Sequence, residues 1–405
     1  MAKLSKNINV LCVGAGIEQL PVIKIAQKMG LNVTALDGNP TAVGLEAADR
    51  GIAMDIRDAA KVVQLAKEAD VRCVLPVPLG AILTTVGAVN DALGLRGISE
   101  EAAQICTDKL LTRQILAKAG LPTPEIAEGS DRNSLLKAAE QIGWPVVVKP
   151  RYGSGSQGVF VARDKAEFES WIPWHLEQRQ KCKESTKSLV ESFVSGHEIG
   201  VDSAIVEEMH STLLIRDKEV TELPFRLPYG YLTPSLLSQE LHNKINTIME
   251  IACKAIGLEN CLVHADIIIN SDKLVIIEIS GRPSGFNISA KMLPAAIGIS
   301  ALEQTIIMNL GGKANFQILQ NQGAVLRMLS SPIGSFVKLE GLKKVSQMPG
   351  VVAVESFLKS GDIVEKRRTS STGYSVGYLL TTGKTRSEAE QLWNNAASQL
   401  KFNVD

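Results

Sequence analysis

Residues 262–289 constrain this chain more than any other stretch. Two β-branched runs, residues 267–269 and 274–277, flank the polar turn Asn270, Ser271, Asp272 and Lys273. That pattern reads as a hairpin with a four-residue loop. Asp266 opens the first run and Glu278 closes the second, so folding brings both acids to one end. A strand core excludes carboxylates that have no partner, because burying an uncompensated charge is costly. Two of them side by side repel unless a cation lies between them. Hard oxygen ligands of this kind suit Mg²⁺, which takes one or two protein carboxylates together with nucleotide phosphates. Arg282 and Gly285 follow, a guanidinium fork for an oxyanion and an amide with no side chain beside it. Taken alone, the stretch is equally compatible with a surface hairpin whose acids are solvated.

The rest of the chain narrows the choice. With 405 residues, two or three domains are expected. Lys plus Arg and Asp plus Glu balance at 43 each, so no global field argues for nucleic acid or membrane. No apolar run approaches the ~20 residues that span a bilayer, and the first nine residues lack a signal-peptide pattern. Six cysteines (Cys12, Cys73, Cys106, Cys182, Cys253, Cys261) show no metal or redox spacing. They read as free thiols in a reducing cytoplasm.

Residues 9–13 form a strand that runs through Gly14-Ala15-Gly16 into a helix, then into a second strand ending at Asp37. The alternation repeats, which predicts a parallel, doubly wound, Rossmann-like domain. Asp37 falls near the ribose acid of a dinucleotide fingerprint, yet Gln19 stands at the third glycine position. The glycines are therefore read as serving a tight turn or lining a substrate cleft. Further on, Lys149 ends a strand and leads into Gly153, Ser154, Gly155, Ser156, Gln157 and Gly158. A glycine-rich loop lets backbone N–H groups approach phosphates. Glu191, followed by Ser192, Phe193, Val194 and then Glu198, suits an adenine edge and a ribose. Residues 165–187 are expected to be helical. Residues 220–234, rich in proline and aromatics, are expected to form a lid without regular structure. His175, His197, His210 and His242 read as surface or turn residues, whereas His264, two residues before Asp266, shares its strand face. It is either a residue beside the substrate or a satisfied core histidine.

In this order the motifs resemble the ATP-grasp superfamily. The likeness rests on Asp108-Lys109 with Arg113, residues 147–150, the loop 153–158, residues 191–198, and Asp266 with Glu278, Ser280 and Arg282. It implies an α/β and α+β chain of three parts: a Rossmann-like domain (1–108), a two-lobed ATP-grasp domain (109–314) and a small α+β domain (315–405) like that of L-amino-acid ligases. It also implies ATP with Mg²⁺, or Mn²⁺ in its place. Lys109, Lys149 and the loop would meet the phosphates, Glu191 and residues 192–194 the adenine, and Glu198 the ribose. Asp266 and Glu278 would ligate metal, with Ser280 at the position where the family carries asparagine. Arg282 and Gly285 would act on the reacting carboxylate, and His264, Arg226 and Tyr231 would face substrate. The implied activity is ADP-forming ligation of a small carboxylate to an amine by a cytoplasmic homodimer. Bicarbonate or carbamate chemistry and a degenerate nucleotide-binding protein are the competing readings.

Overall fold

The computed structural model describes residues 8–78, 80–181, 186–369 and 376–405. Strands β1 (Asn9–Val13), β2 (Asn32–Asp37), β3 (Arg50–Ala53) and β4 (Val71–Val74) form a parallel sheet in the order β3-β2-β1-β4. Continuous apolar runs suit strands covered on both faces, and Val10 to Val13 are fully buried. The turn after β1 is held by Gly14 at φ +88° and by the Ala15 amide, which donates to Asp37 Oδ2 at 2.7 Å. Asp37 also takes the Asn39 amide at 2.8 Å, so this acid serves its own backbone. Gln19 fills the third glycine position usefully: its Oε1 caps the Gly16 amide at 3.0 Å and its Nε2 donates to the Pro78 carbonyl at 3.0 Å.

Strands β5 (Ile126–Gly129), β6 (Val146–Pro150), β7 (Phe160–Ala162) and β8 (Ser188–Ser192) make an antiparallel sheet in the order β5-β8-β6-β7. Its apolar face packs Val146, Val148, Phe160 and Val190 against Leu135 and Phe168 of the helices Arg132–Ile142 and Lys165–Lys181. The expected helix over residues 165–187 thus reaches Lys181, and its remainder includes residues outside those described.

The larger sheet is built from β9 (His197–Val206), β10 (Met209–Val220), β11 (Pro228–Thr233), β12 (Cys261–Asn270), β13 (Lys273–Ser280) and β14 (Gly323–Met328). Beyond them lie β15 (Gly334–Glu340), β16 (Val351–Ser356), β17 (Ile363–Val364), β18 (Gly377–Gly383) and β19 (Lys401–Val404). Eight strands run antiparallel in the order β13-β12-β9-β10-β11-β14-β18-β16, and β17-β15-β19 form a separate small sheet. Helix Gln239–Ile256 covers the large sheet with Ile245, Met249, Ala252, Cys253 and Ile256, the one-stripe spacing of an amphipathic helix.

Two expectations need correction. The hairpin turn has two residues, because Asn270 pairs with Lys273 and Ser271 takes φ +52°; both strands are longer than their apolar runs. The predicted lid over 220–234 is partly strand: β11 lies inside the eight-stranded sheet, where alternating side chains bury Tyr231. The large sheet runs across position 314, where β11 pairs directly with β14. Five cysteines are free, four of them buried, while Cys182 lies outside the described residues. Among the described residues no helix is long and apolar enough to cross a membrane.

Candidate active site

The two antiparallel sheets and the turn after β1 enclose a cleft of about 730 Å³. Most of the residues singled out above line it: Lys109, Lys149, residues 153–156, residues 191–194, Glu198, Arg226, Tyr231, His264, Asp266, Glu278, Arg282 and Gly285. Gly158 and Ser280 do not. Gly158 sits at the base of the loop with its carbonyl against His175 Nδ1 at 2.5 Å. Ser280 is buried, and its side chain interacts with the Cys106 thiol.

One wall carries a sealed ion cluster. The pairing of β6 with β8 sets Val147 opposite Glu191 and Lys149 opposite Leu189. Lys149 Nζ lies 2.5 Å from Glu191 Oε2, and Arg113 Nε lies 3.0 Å from Oε1. Arg113 also donates to the carbonyls of Ile276 and Ile277, at 3.1 and 2.6 Å, which ties helix Lys109–Lys118 to β13. Burial alone pushes the Glu191 carboxyl up, but Lys149 and Arg113 outweigh it and hold it at about 2. Burial brings Lys149 down to about 8, against the pull of Glu191. The Glu191 carboxylate is therefore fully engaged. The amides of Ser192 and Phe193 are engaged too, on the carbonyls of Glu125 and Pro145.

The glycine loop is tethered from below. Lys109 Nζ donates to the Gly153 carbonyl at 2.7 Å, while Asp108 caps the helix and accepts from Arg151 Nε and the Tyr152 hydroxyl at 2.8 and 2.9 Å. Gly153, Gly155 and Gly158 all take positive φ, which glycine adopts without strain. The loop tip reaches the first domain, for a Cβ at Gly80 would stand 2.9 Å from Ser154 Oγ.

The hairpin acids form the opposite wall. Asp266 and Glu278 are direct cross-strand partners, and a register shift follows immediately between Asp266 and Ile267, a bulge of the sort that re-aims side chains. Asp266 does not stand alone: Lys218 Nζ from β10 bridges Asp266 Oδ2 at 2.7 Å and Glu198 Oε1 at 2.6 Å. Asp266 Oδ1 is buried with no hydrogen-bond partner. Glu278 stays 43% exposed to the cleft, with Arg282 Nη2 at 3.2 Å. Burial raises the Asp266 carboxyl, yet Lys218 reverses the effect and holds it at about 2. Arg282 likewise keeps Glu278 below the usual range, against burial.

Behind these acids runs a buried polar chain. Arg216, with no exposed surface, pairs with Asp202, which also accepts from Ser284 Oγ. His264 Nδ1 receives Arg216 Nη2 at 3.3 Å and faces Ser284 Oγ at 2.9 Å. Since Arg216 can only donate, Nδ1 is the acceptor and the ring proton sits on Nε2, 3.6 Å from Asp266 Oδ1. Burial pushes the imidazole down to about 4, so it is neutral near pH 7. Of the other substrate candidates that line the cleft, Arg226 lies 3.4 Å from Glu198 and over the Phe193 ring, and Tyr231 packs under Arg216.

The sequence reading passed over Arg216, Lys218, Asp202, Ser284 and Glu18. Arg216 and Lys218 alternate with Asp217 and Glu219 on β10, so the strand's period of two sends both cations to one face, a signal that could have been read. His175 is a further correction. It is fully buried, bridges Gly158 and Ser188, and is held down to about 4 by burial.

Among the described residues no three His, Cys, Asp or Glu side chains are grouped to hold a metal ion by themselves. A cation at Asp266 and Glu278 would share its shell with a ligand.

Residues 142–290 match the ATP-grasp domain model, and residues 327–405 match L-amino acid ligase C-terminal domain 2. An uncharacterized protein, y4rH, of Sinorhizobium fredii is 25% identical over 324 residues, which span 79% of this chain and 66% of that protein. An L-arginine-specific L-amino acid ligase of Bacillus subtilis is 24% identical over 307 residues, 71% of this chain and 70% of that one. In fold, the chain is similar to the crystal structure of an L-amino acid ligase from Bacillus licheniformis, with TM-score 0.82, 22% identity and coverage of 99% and 100% of the two chains. Residues 142–290 therefore match an ATP-grasp domain, and residues 327–405 match the C-terminal domain of L-amino acid ligases.

Proposed function

We propose that this chain is an ATP-dependent, ADP-forming ligase that activates a carboxylate as an acyl phosphate and joins it to an amine, with amino acids as the substrate class. The observation that carries the reading is a single cleft that holds both halves of such a reaction. Lys109, Lys149 and the glycine loop line it, and so do Arg282, Gly285 and the two hairpin acids. Phosphoryl transfer asks a protein for positioning and charge neutralisation more than for covalent help. No Ser–His–acid or Cys–His pair is needed.

In this scheme Lys149, held by Glu191, and Lys109, held by the loop, face the phosphates. Residues 192–194 border the adenine and Glu198 the ribose. Arg282 clamps the carboxylate oxygens, and the Gly285 amide faces the oxyanion that forms on attack. Asp266 and Glu278 fit a divalent cation, because the buried Oδ1 of Asp266 lacks a partner and Glu278 is open to the cleft. When bound, such an ion neutralises phosphate charge. Ser280 is left out of this set, since it does not line the cleft.

The test is a phosphate-release screen with ATP that pairs amino acids with themselves and with amines, followed by mass detection of the product. Amine-dependent release is expected, and Arg282→Ala should lower turnover roughly 10²–10³-fold. Full turnover in Arg282→Ala or Glu278→Gln would remove the assigned roles, and release that needs bicarbonate but no amine would move the chain to carboxylase chemistry.

A further inference from the structure

Five carboxylates line the cleft: Glu18, Glu191, Glu198, Asp266 and Glu278. Four of them have a resident cation. Glu191 holds Lys149 and Arg113, Glu198 and Asp266 share Lys218, and Glu278 has Arg282. Glu18 takes part in none of the ion pairs found among the described residues. A carboxylate withdrawn from water without a counter-ion is costly, and the ligand that removes that cost is a cation.

The backbone opposite is shaped to bring Glu18 there. Glu18 comes from the turn between β1 and helix Leu20–Lys28 and accepts the Phe286 amide. Phe286 and Asn287 are consecutive non-glycine residues in the left-handed region, at φ +53° and +60°. Such backbone persists only where surrounding contacts enforce it, and it clusters at functional sites. Gly285 is part of the same fit: a Cβ there would stand 3.0 Å from Glu18 Oε1. Burial raises the Glu18 carboxyl, the Phe286 amide and the field of Arg282 pulling the other way. The side chain thus sits beside the group assigned to the reacting carboxylate (Arg282) and the amide assigned to the oxyanion (Gly285).

We propose that Glu18 receives the ammonium group of the amine substrate and accepts its proton. The inference rests on the ligase reading and adds the residue that selects the amine. An alkylammonium R–NH₃⁺ has no lone pair and cannot attack. Transfer of one proton to the Glu18 carboxylate yields R–NH₂, whose lone pair forms the C–N bond to the acyl carbon. The C–O bond to phosphorus-bound oxygen then breaks, its electron pair leaves with inorganic phosphate, and the surplus proton on nitrogen passes to that phosphate or to water. The neighbouring positive charge of Arg282 limits the proton affinity of Glu18, which lets it reset by losing the proton to solvent.

Glu18→Gln separates this role from a structural one, because a carboxamide oxygen can still accept the Phe286 amide. The nucleophiles to compare are an amino-acid amine, cationic near pH 7, and hydroxylamine, which is neutral there and traps the same acyl phosphate as a hydroxamate. The variant should raise KM for the cationic amine about tenfold or more while its hydroxamate formation stays within about twofold of wild type. An unchanged amine KM would overturn the proposal, and so would an equal loss with both nucleophiles, which marks Glu18 as a backbone prop. If the wild-type protein makes neither amide nor hydroxamate from any carboxylate, the ligase reading itself fails and the inference goes with it.

Discussion

The cleft is faced by two ion clusters of opposite composition. In one, a single carboxylate, Glu191, lies between Arg113 and Lys149; in the other, a single ammonium, Lys218, lies between Glu198 and Asp266. The first carries a net positive charge and is sealed, its three side chains 2%, 3% and 7% exposed. The second, with Arg226 at its rim 3.4 Å from Glu198, is wetter, with both acids about 15% exposed and one oxygen of Asp266 without a partner. A site for a nucleotide and its metal needs this polarity, with fixed cations for phosphate on one side and spare anionic oxygen for a cation on the other. The difference also separates scaffold from site. The sealed cluster is complete as it stands and the open one is not, so the same kind of substitution should have different consequences in each.

The largest effect is expected in the sealed cluster. Glu191→Gln leaves Lys149 and Arg113 facing each other without a counter-charge, and should cost roughly 3–5 kcal/mol of unfolding free energy, read from urea denaturation at pH 7. Mg²⁺ should not restore it. A loss below about 1 kcal/mol would mean that water enters this cluster and that it is not sealed.

Next comes the acid side. His175 stands beside the glycine loop on the same lobe and is buried neutral, at about 4 where an unfolded histidine titrates at 6.5. Its folded value is depressed, so between these values the unfolded chain binds more protons. The stabilising contribution is complete above pH 6.5 and is lost as pH falls toward 4. The loss from pH 7 to pH 5 due to this residue should be about 2 kcal/mol. His175→Gln should shed that portion of the acid dependence, and equal pH slopes in variant and wild type would contradict it.

The contrast between the clusters also marks what could be read from the amino-acid sequence. The hairpin acids were legible because a carboxylate bounding a β-branched run breaks the expected pattern, and cross-strand pairing then puts Asp266 opposite Glu278. The order of the motifs was legible for the same local reason: each is a charged or glycine-rich interruption at the end of an apolar strand. Their counter-ions were not legible. Lys218 reaches Asp266 across β9, 48 residues away in the chain, and Glu18 reaches Phe286 across 268. Neither has a local pattern that names its partner. The lid expected around Tyr231 failed in the opposite sense. Proline and aromatic residues around it suggested a lid, yet the edges of β10 and β14 needed a strand between them and took residues 228–233. Ser280 was assigned by motif position alone; it follows Glu278 on the same strand, yet it is buried beside Cys106 and does not line the cleft.

The smallest effect, and the one that bears most directly on the comparison, is expected at Lys218. Lys218→Met removes the ammonium that Glu198 and Asp266 share. The two acids touch cleft water, and one of them can take up a proton, so the repulsion left behind should cost only roughly 1 kcal/mol. What distinguishes this cluster is how that loss responds to a cation. If the open wall is built for a divalent ion, the variant presents it with a freed Asp266 carboxylate beside Glu278, while Glu198 keeps Arg226. Millimolar Mg²⁺ should then raise the unfolding temperature of Lys218→Met by more than it raises that of wild type, as binding to the folded state alone requires. The same addition should leave Glu191→Gln no better off than wild type. Equal Mg²⁺ responses in wild type and Lys218→Met would mean that the open cluster is a second structural salt bridge, and the polarity across the cleft would then say nothing about where a metal sits.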